Sequence, residues 1–190
     1  MRVLQLLGIP VVLFAVCSCD TVPSRSPLHE LSGLEATPDP PAEGTWVAKG
    51  GVGFTSGPST FLTGLAVDRQ QSENLSLGGL LQIGVSNDDL IVAPSVTVKR
   101  SFDLREGGDL GSLSPYVLGG VGFAVIEKER PGLPDREDTG LLVQTGFGAE
   151  IPLEEGVSVG TGMLFNLLPR RVAGERFFFS WQLVTLSFRF

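Results

Sequence analysis

Beyond residue 45 apolar residues recur at every second position, and that period limits what the chain can fold into. In the run Leu75 to Ser86, Leu75, Leu77, Leu81, Ile83 and Val85 share one face, and Ser76, Gly78, Gln82, Gly84 and Ser86 share the other. A period of two belongs to a β-strand, whose side chains point alternately to opposite faces. The same split sets Val143, Thr145, Phe147, Ala149 and Ile151 against Gln144, Gly146, Gly148 and Glu150. It sets Val157, Val159, Thr161, Met163 and Phe165 against Ser158, Gly160, Gly162 and Asn166, and Val117, Val121, Phe123 and Val125 against Gly120, Gly122 and Ala124. Followed throughout, the alternation predicts about eight strands, near 46–55, 59–69, 75–86, 90–102, 115–127, 140–152, 157–167 and 177–190. Eight is the smallest strand number usual for bacterial outer-membrane barrels. The expected fold is all-β, an antiparallel up-and-down β-barrel.

The non-apolar face separates a membrane barrel from a soluble one. A soluble barrel presents Lys, Glu and Asp outward, whereas Leu75–Ser86, Tyr116–Ile126 and Val157–Leu168 carry no charge at all. Their second face is Gly, Ser, Asn and Gln, small enough for a crowded lumen, while the bulky face suits lipid. Only 18% of residues are charged, against about 25% in soluble domains. The charges gather in the expected connectors, such as Asp68 to Glu73, Arg105 to Asp109, Glu127 to Asp138 and Arg170 to Arg176. An apolar band of about 25 Å crossed at a tilt of about 40° needs roughly ten residues per strand, which these segments supply. With the N-terminus on the periplasmic side, the long connector Glu127 to Thr139 is displayed outside and the tight one at Pro152 to Gly156 lies inside.

The start of the chain reads as an address. Arg2 precedes an apolar stretch from Val3 to Val16, the n-region and h-region of a signal peptide spanning residues 1–18. Both cysteines, Cys17 and Cys19, fall at its end, so the mature fold must hold without a disulfide. Val16-Cys17-Ser18-Cys19 resembles a bacterial lipobox, which implies lipidation of Cys19; ordinary cleavage near Ser18 is the alternative. Residues 19–44 hold Pro23, Pro27, Pro38, Pro40 and Pro41 among Ser, Thr and acidic residues. That composition buries too little apolar surface to order itself, so the segment reads as a disordered tether before a transmembrane domain at 45–190.

The barrel segments also resemble a family. Ser114-Pro115-Tyr116-Val117-Leu118-Gly119-Gly120-Val121-Gly122-Phe123 is similar to a strand start of the OmpA-type outer-membrane barrels. Gly146-Phe147-Gly148-Ala149-Glu150, a tight turn and Val157-Ser158-Val159-Gly160 resemble a later hairpin of that group. The resemblance covers about Thr45 to Phe190 and implies a porin-like barrel of the Gram-negative cell envelope. The final Val184-Thr185-Leu186-Ser187-Phe188-Arg189-Phe190 resembles the signal read by the barrel assembly machinery, with Phe188 and Phe190 as its carriers. Departures are a single tyrosine, Tyr116, where such barrels carry aromatic girdles, and Pro94 inside a strand, which is expected to form a bulge. The 12 Phe and two Trp partly substitute for the girdles.

Chemistry is scarce. His29 is the only histidine and lies in the tether, which removes Ser-His-Asp triads, His-based zinc sites and the His-Ser pair of lipid-deacylating barrels. Gly119-Gly120-Val121-Gly122 lacks the helix a phosphate loop requires and reads as strand packing. Asp135, Glu137 and Asp138 match no EF-hand and read as a solvated acidic loop. A formal net charge of −7 with no basic stripe argues against nucleic acid. No cofactor is expected.

One constellation is internal. If Val52 and Phe54 face lipid, the same parity turns Lys49, Asp68, Lys99, Glu150 and Arg189 into the lumen near one end. Charges in a narrow lumen are costly unless paired, so the five are expected to form a structural salt-bridge cluster, with an ion or ligand gate as the alternative. The function expected is a non-enzymatic outer-membrane barrel with a structural or surface-interaction role, partnered by outer-membrane lipids. The alternative is a lipid-anchored periplasmic lipocalin-like protein binding an apolar ligand.

Overall fold

A computed structural model describes residues 43–102, 113–128, 136–154 and 156–190. The signal segment with Cys19, almost all of the tether with His29, and Asp135 lie outside the described residues. Eight strands run β1 (Trp46–Ser56), β2 (Thr60–Ser72), β3 (Leu75–Val85), β4 (Asp89–Ser101), β5 (Ser114–Lys128), β6 (Arg136–Glu154), β7 (Val157–Val172) and β8 (Glu175–Arg189). Each pairs antiparallel with its neighbours in chain order, and β1 closes on β8, so the sheet is a closed up-and-down barrel. Closure removes every sheet edge and satisfies the backbone internally. Trp46 and Phe190 complete the seam by exchanging backbone hydrogen bonds of 3.2 and 3.0 Å. An even strand number brings both ends of the barrel chain to one rim, here named the terminal end; the opposite rim is the distal end.

Strand boundaries follow the alternation closely except on β6 and β7. β6 begins at Arg136 rather than 140, and β7 runs to Val172 rather than 167. Charged residues and Pro169 erase the apolar alternation there, yet both strands continue as a ladder past the apolar band. The fifth connector shrinks accordingly: Glu127, Lys128 and Asp138 lie in strand, not in a displayed loop. The β7–β8 ladder shifts between Leu167 and Val172, at the position of Pro169, and closes through Ala173 and Gly174. Both turn residues have positive φ, 49° and 98°, the handedness a two-residue hairpin requires.

Pro94 does not form the expected bulge. It pairs in register with Leu81, and the β4–β5 register is the same on both sides of it, from Val92↔Val125 to Ser95↔Gly122. Pro94 faces outward, and the ladder to β5 simply lapses at its missing donor.

The outer face is apolar. Leu65, Val67, Leu77, Val96, Val117, Val121, Phe147 and Leu186 are all exposed. Phe and Trp form the two girdles in place of tyrosine. Trp46, Phe102, Phe188 and Phe190 ring the terminal end, and Phe54, Phe61, Phe123, Phe177 and Trp181 the distal end. The glycines divide by face. On the lumen side, a Cβ at Gly53 would collide with the Trp181 carbonyl, and one at Gly122 with the Pro94 carbonyl. These positions tolerate only hydrogen because neighbouring strands and lumen side chains crowd them.

Candidate functional site

The lumen is filled in three tiers. At the terminal end lies the charged tier. Lys49 Nζ is 2.9 Å from Asp68 Oδ2 and 3.1 Å from Glu150 Oε1. Lys99 Nζ donates to both Glu150 oxygens, at 3.1 and 3.2 Å. The Tyr116 ring lies beneath both ammoniums, 6.0 Å from Lys49 and 5.1 Å from Lys99. Two cations and two anions cancel, and each ion has an opposite charge in contact, the condition for keeping charges in a low-dielectric space. A cavity of about 40 Å³ remains within this tier, beside Lys49, Lys99, Tyr116 and Gln182.

The parity rule places these residues because Lys49, Asp68, Lys99 and Glu150 stand on alternate positions of β1, β2, β4 and β6. Arg189 does not join them. Its parity is that of buried Ser187, but it is the last residue of β8, its side chain is exposed, and its backbone N–H donates to the Gly156 carbonyl at 2.8 Å. The lumen ends one turn of the pleat before it. Tyr116 was legible by the same parity, since Leu118 and Gly120 share its face.

The middle tier is an amide and hydroxyl network. Gln82 Nε2 donates to Gln144 Oε1 and Asn166 Oδ1, both at 3.2 Å. Gln144 Nε2 donates to Ser95 Oγ at 2.8 Å, and Asn166 Nδ2 to Ser180 Oγ at 3.1 Å. All five side chains are buried. These buried polar groups link five strands, which fixes register as well as fills space, and within the network only Gln82 Oε1 has no partner among the described residues.

The distal tier is apolar. Ile91, Ala93, Ala124, Ile126, Leu142, Leu168, Val172, Ala173 and Phe178 form one buried cluster, with Phe178, Ile91, Ile126 and Leu142 fully shielded. Above it Lys128 and Glu175 pair at 2.7 Å on a half-open rim. Among the described residues no group of His, Cys, Asp and Glu is arranged to hold a metal ion. Glu137 is exposed, while Asp138 accepts the Ala173 N–H at 3.1 Å and so caps the β7–β8 turn.

Solved structures share this closed eight-stranded barrel. The N-terminal β-barrel domain of Pseudomonas aeruginosa OprF matches with a TM-score of 0.62 and 12% identity, over 78% of this chain and 98% of that one. Neisserial surface protein A matches at 0.61 and 12%, over 78% and 98%. The Yersinia pestis attachment invasion locus protein Ail, solved with the heparin analogue sucrose octasulfate, matches at 0.55 and 14%, over 78% and 100%. The fold is that of the eight-stranded outer-membrane barrels. No protein-family model matches the sequence, and no curated protein matches it.

The remaining expected site residues lie at the terminal rim. Phe188 and Phe190 both point outward, 51% and 74% exposed, and both lie on the seam with β1, opposite Ala48 and Trp46.

Proposed function

We propose that this protein is a non-enzymatic integral outer-membrane barrel whose sealed lumen makes it a fixed element of the envelope rather than a pore. The observation that carries the reading is the inverted distribution of polarity: the wall facing away from the barrel is mostly leucine, valine and phenylalanine, while a four-charge cluster and an amide network are inside. Water would not tolerate so large an apolar surface, and lipid favours it. The barrel walls are bridged by side chains at three levels, which argues against a continuous aqueous path. The lipocalin-like alternative needs a lumen of about 300 Å³ or more for an apolar ligand. Among the described residues the lumen cavity of about 40 Å³ is far too small.

A surface-interaction role rests on the distal end. The exposed Arg170, Arg171 and Arg176 flank the irregular part of the β7–β8 ladder and offer charge-assisted hydrogen bonds to an anionic glycan. Lipidation at Cys19 would add a second anchor, since acyl chains contribute about 0.8 kcal/mol per buried CH₂.

Membrane fractionation tests the reading. The protein is expected in the outer-membrane fraction, resistant to carbonate extraction, and to migrate differently on gels before and after boiling. Purified and placed in a planar bilayer, it is expected to give no steady conductance. Recovery in the soluble periplasm, or a stable open channel, would overturn the proposal.

The C-terminal pair supplies a further expected result. Deleting Phe190 removes the residue that hydrogen-bonds Trp46 across the seam and ends the alternating apolar run. Folded, heat-modifiable protein in the outer membrane should fall several-fold while periplasmic degradation products rise. An unchanged folded yield would show that Phe188 and Phe190 do not direct assembly.

A further inference from the structure

We infer that the outer wall formed by β1 to β4 holds one glycerophospholipid, its acyl chain lying over Gly79 and Pro94 and its phosphate on Arg69. A groove of about 970 Å³ crosses this wall. Its floor is Ala48, Gly79 and Pro94, and its sides are Leu65, Leu77 and Val96. The volume lies at the upper end of the ~300–1,000 Å³ range of small-molecule sites. On β6 to β8, Phe147, Phe165 and Phe177 instead pack into a ridge with centroid separations of 6.1 and 6.3 Å.

Gly79 keeps the floor of the groove low. A Cβ on it would meet only the Ser95 carbonyl, at an ordinary 3.9 Å, so nothing in the chain fills the space above it. The outward-facing Gly50 and Gly119 are as unobstructed, but neither lines the groove. At Gly79 a bare strand backbone and the trough coincide, which suits the close approach of an occupant from outside.

The occupant's chemistry follows from the two ends. Arg69 lines the groove at its terminal end, with its guanidinium 5.9 Å from the Trp46 ring and no carboxylate partner among the described residues. From Arg69 to Leu65 the groove follows β2 for about 13 Å at about 3.3 Å per residue, which at a strand tilt of about 40° is about 10 Å of depth. That lies within one leaflet of a hydrocarbon core about 30 Å thick. A cation at the headgroup level above an apolar trough contained in one leaflet fits a phosphate joined to an acyl chain. Arginine stacked on an indole presents its fork of N–H donors to such a phosphate.

The inference rests on the membrane reading above, but it can fail while fractionation still places the barrel in the outer membrane. The test is native mass spectrometry of the Cys19→Ser protein, which removes any acyl chain of its own, released from detergent with phosphatidylglycerol added. One bound phosphatidylglycerol is expected. Gly79→Leu, which fills the trough, and Arg69→Gln, which removes the phosphate donor, should each weaken retention by about tenfold or more, the loss of one charged hydrogen bond or its equivalent. Gly119→Leu is the control, because Gly119 faces outward on β5, away from the groove, with open space around its Cβ. Heat-modifiable mobility reports that each variant folds. Equal retention in Gly79→Leu and the parent overturns the inference. So does an equal loss in Gly119→Leu, or retention of lipopolysaccharide in preference to phosphatidylglycerol.

Discussion

Replacing Glu150 by Gln should lower the stability of the barrel by about 3 kcal/mol, the lower part of the 3–5 kcal/mol range for breaking a buried ion pair. The lower part applies because the Glu150 carboxylate retains some exposure, 17%. The cost arises from what is left behind. Among the described residues Glu150 is the only anion in contact with Lys99, whereas Lys49 keeps Asp68 at 2.9 Å. Glu150→Gln therefore strands one ammonium inside the lumen beside the Tyr116 ring. Neutralising that ammonium as well, with Lys99→Met, should recover a substantial part of the loss, because the orphaned charge is then gone. The measurement is urea unfolding in detergent micelles, read as a four-member cycle. Coupling between the two positions is the signature of contact, and strictly additive effects would mean that the residues do not touch. Asp68→Asn should couple to Lys49 and only weakly to Lys99. By comparison Lys128→Met, which breaks the pair with Glu175 at the distal rim, should change stability by no more than about 1 kcal/mol, since that pair is a quarter exposed and its partner is left in water.

How the charged tier was legible, and how the apolar tier was not, has one physical origin. Alternation reports which face a residue occupies only where the two faces differ in polarity. On β3 they differ except at Gly79 and Leu80, so Leu77 and Gln82 sort themselves. Lys49, Asp68, Lys99 and Glu150 sort by the same rule, because a charge opposite an apolar neighbour marks the lumen. At the distal end both faces are apolar. Leu90-Ile91-Val92, Leu141-Leu142-Val143 and Phe177-Phe178-Phe179 are continuous runs in which inward and outward residues look alike. Such runs are what strands buried on both faces produce, and they were the available signal for an apolar plug. The reading of a lumen made of Gly, Ser, Asn and Gln holds for the middle of the barrel and fails at that end. Parity also carries no information about where a strand stops. Arg189 has the lumen's parity but stands at the rim, where a long side chain reaches solvent. Pro94 misled in the opposite sense: a missing donor needs only a gap in the ladder, not an extra residue. The groove over Gly79 was hidden because a glycine in an alternating run reads as lumen by composition, and only the register shows it facing out.

The distal plug yields the second large effect. Phe178→Ala should destabilise the barrel by about 3–5 kcal/mol, the range for truncating a fully buried phenylalanine. Its side chain has no exposure and sits among Ile91, Ile126, Leu142, Leu168 and Val172, which span four strands and cannot all move inward to fill the space. The vacated volume is lined by aliphatic side chains, so it should stay dry and open no conducting path, with the amide network and the charged tier still closed beneath it. Phe177 supplies the decisive comparison. It is the preceding residue on the same strand, 46% exposed, and it points outward to stack on Phe165. Phe177→Ala exchanges a contact with lipid or detergent for another of the same kind and loses mainly one aromatic pair, worth about 0.5–1.5 kcal/mol. Unfolding in one detergent for both variants should therefore separate neighbours in sequence by a few kcal/mol. If the two substitutions cost the same, residues 177 and 178 do not face opposite sides of the wall. If Phe178→Ala produces a steady conductance, the two lower tiers do not seal the lumen, and a gated pore would become the better account of the charged cluster at the terminal end.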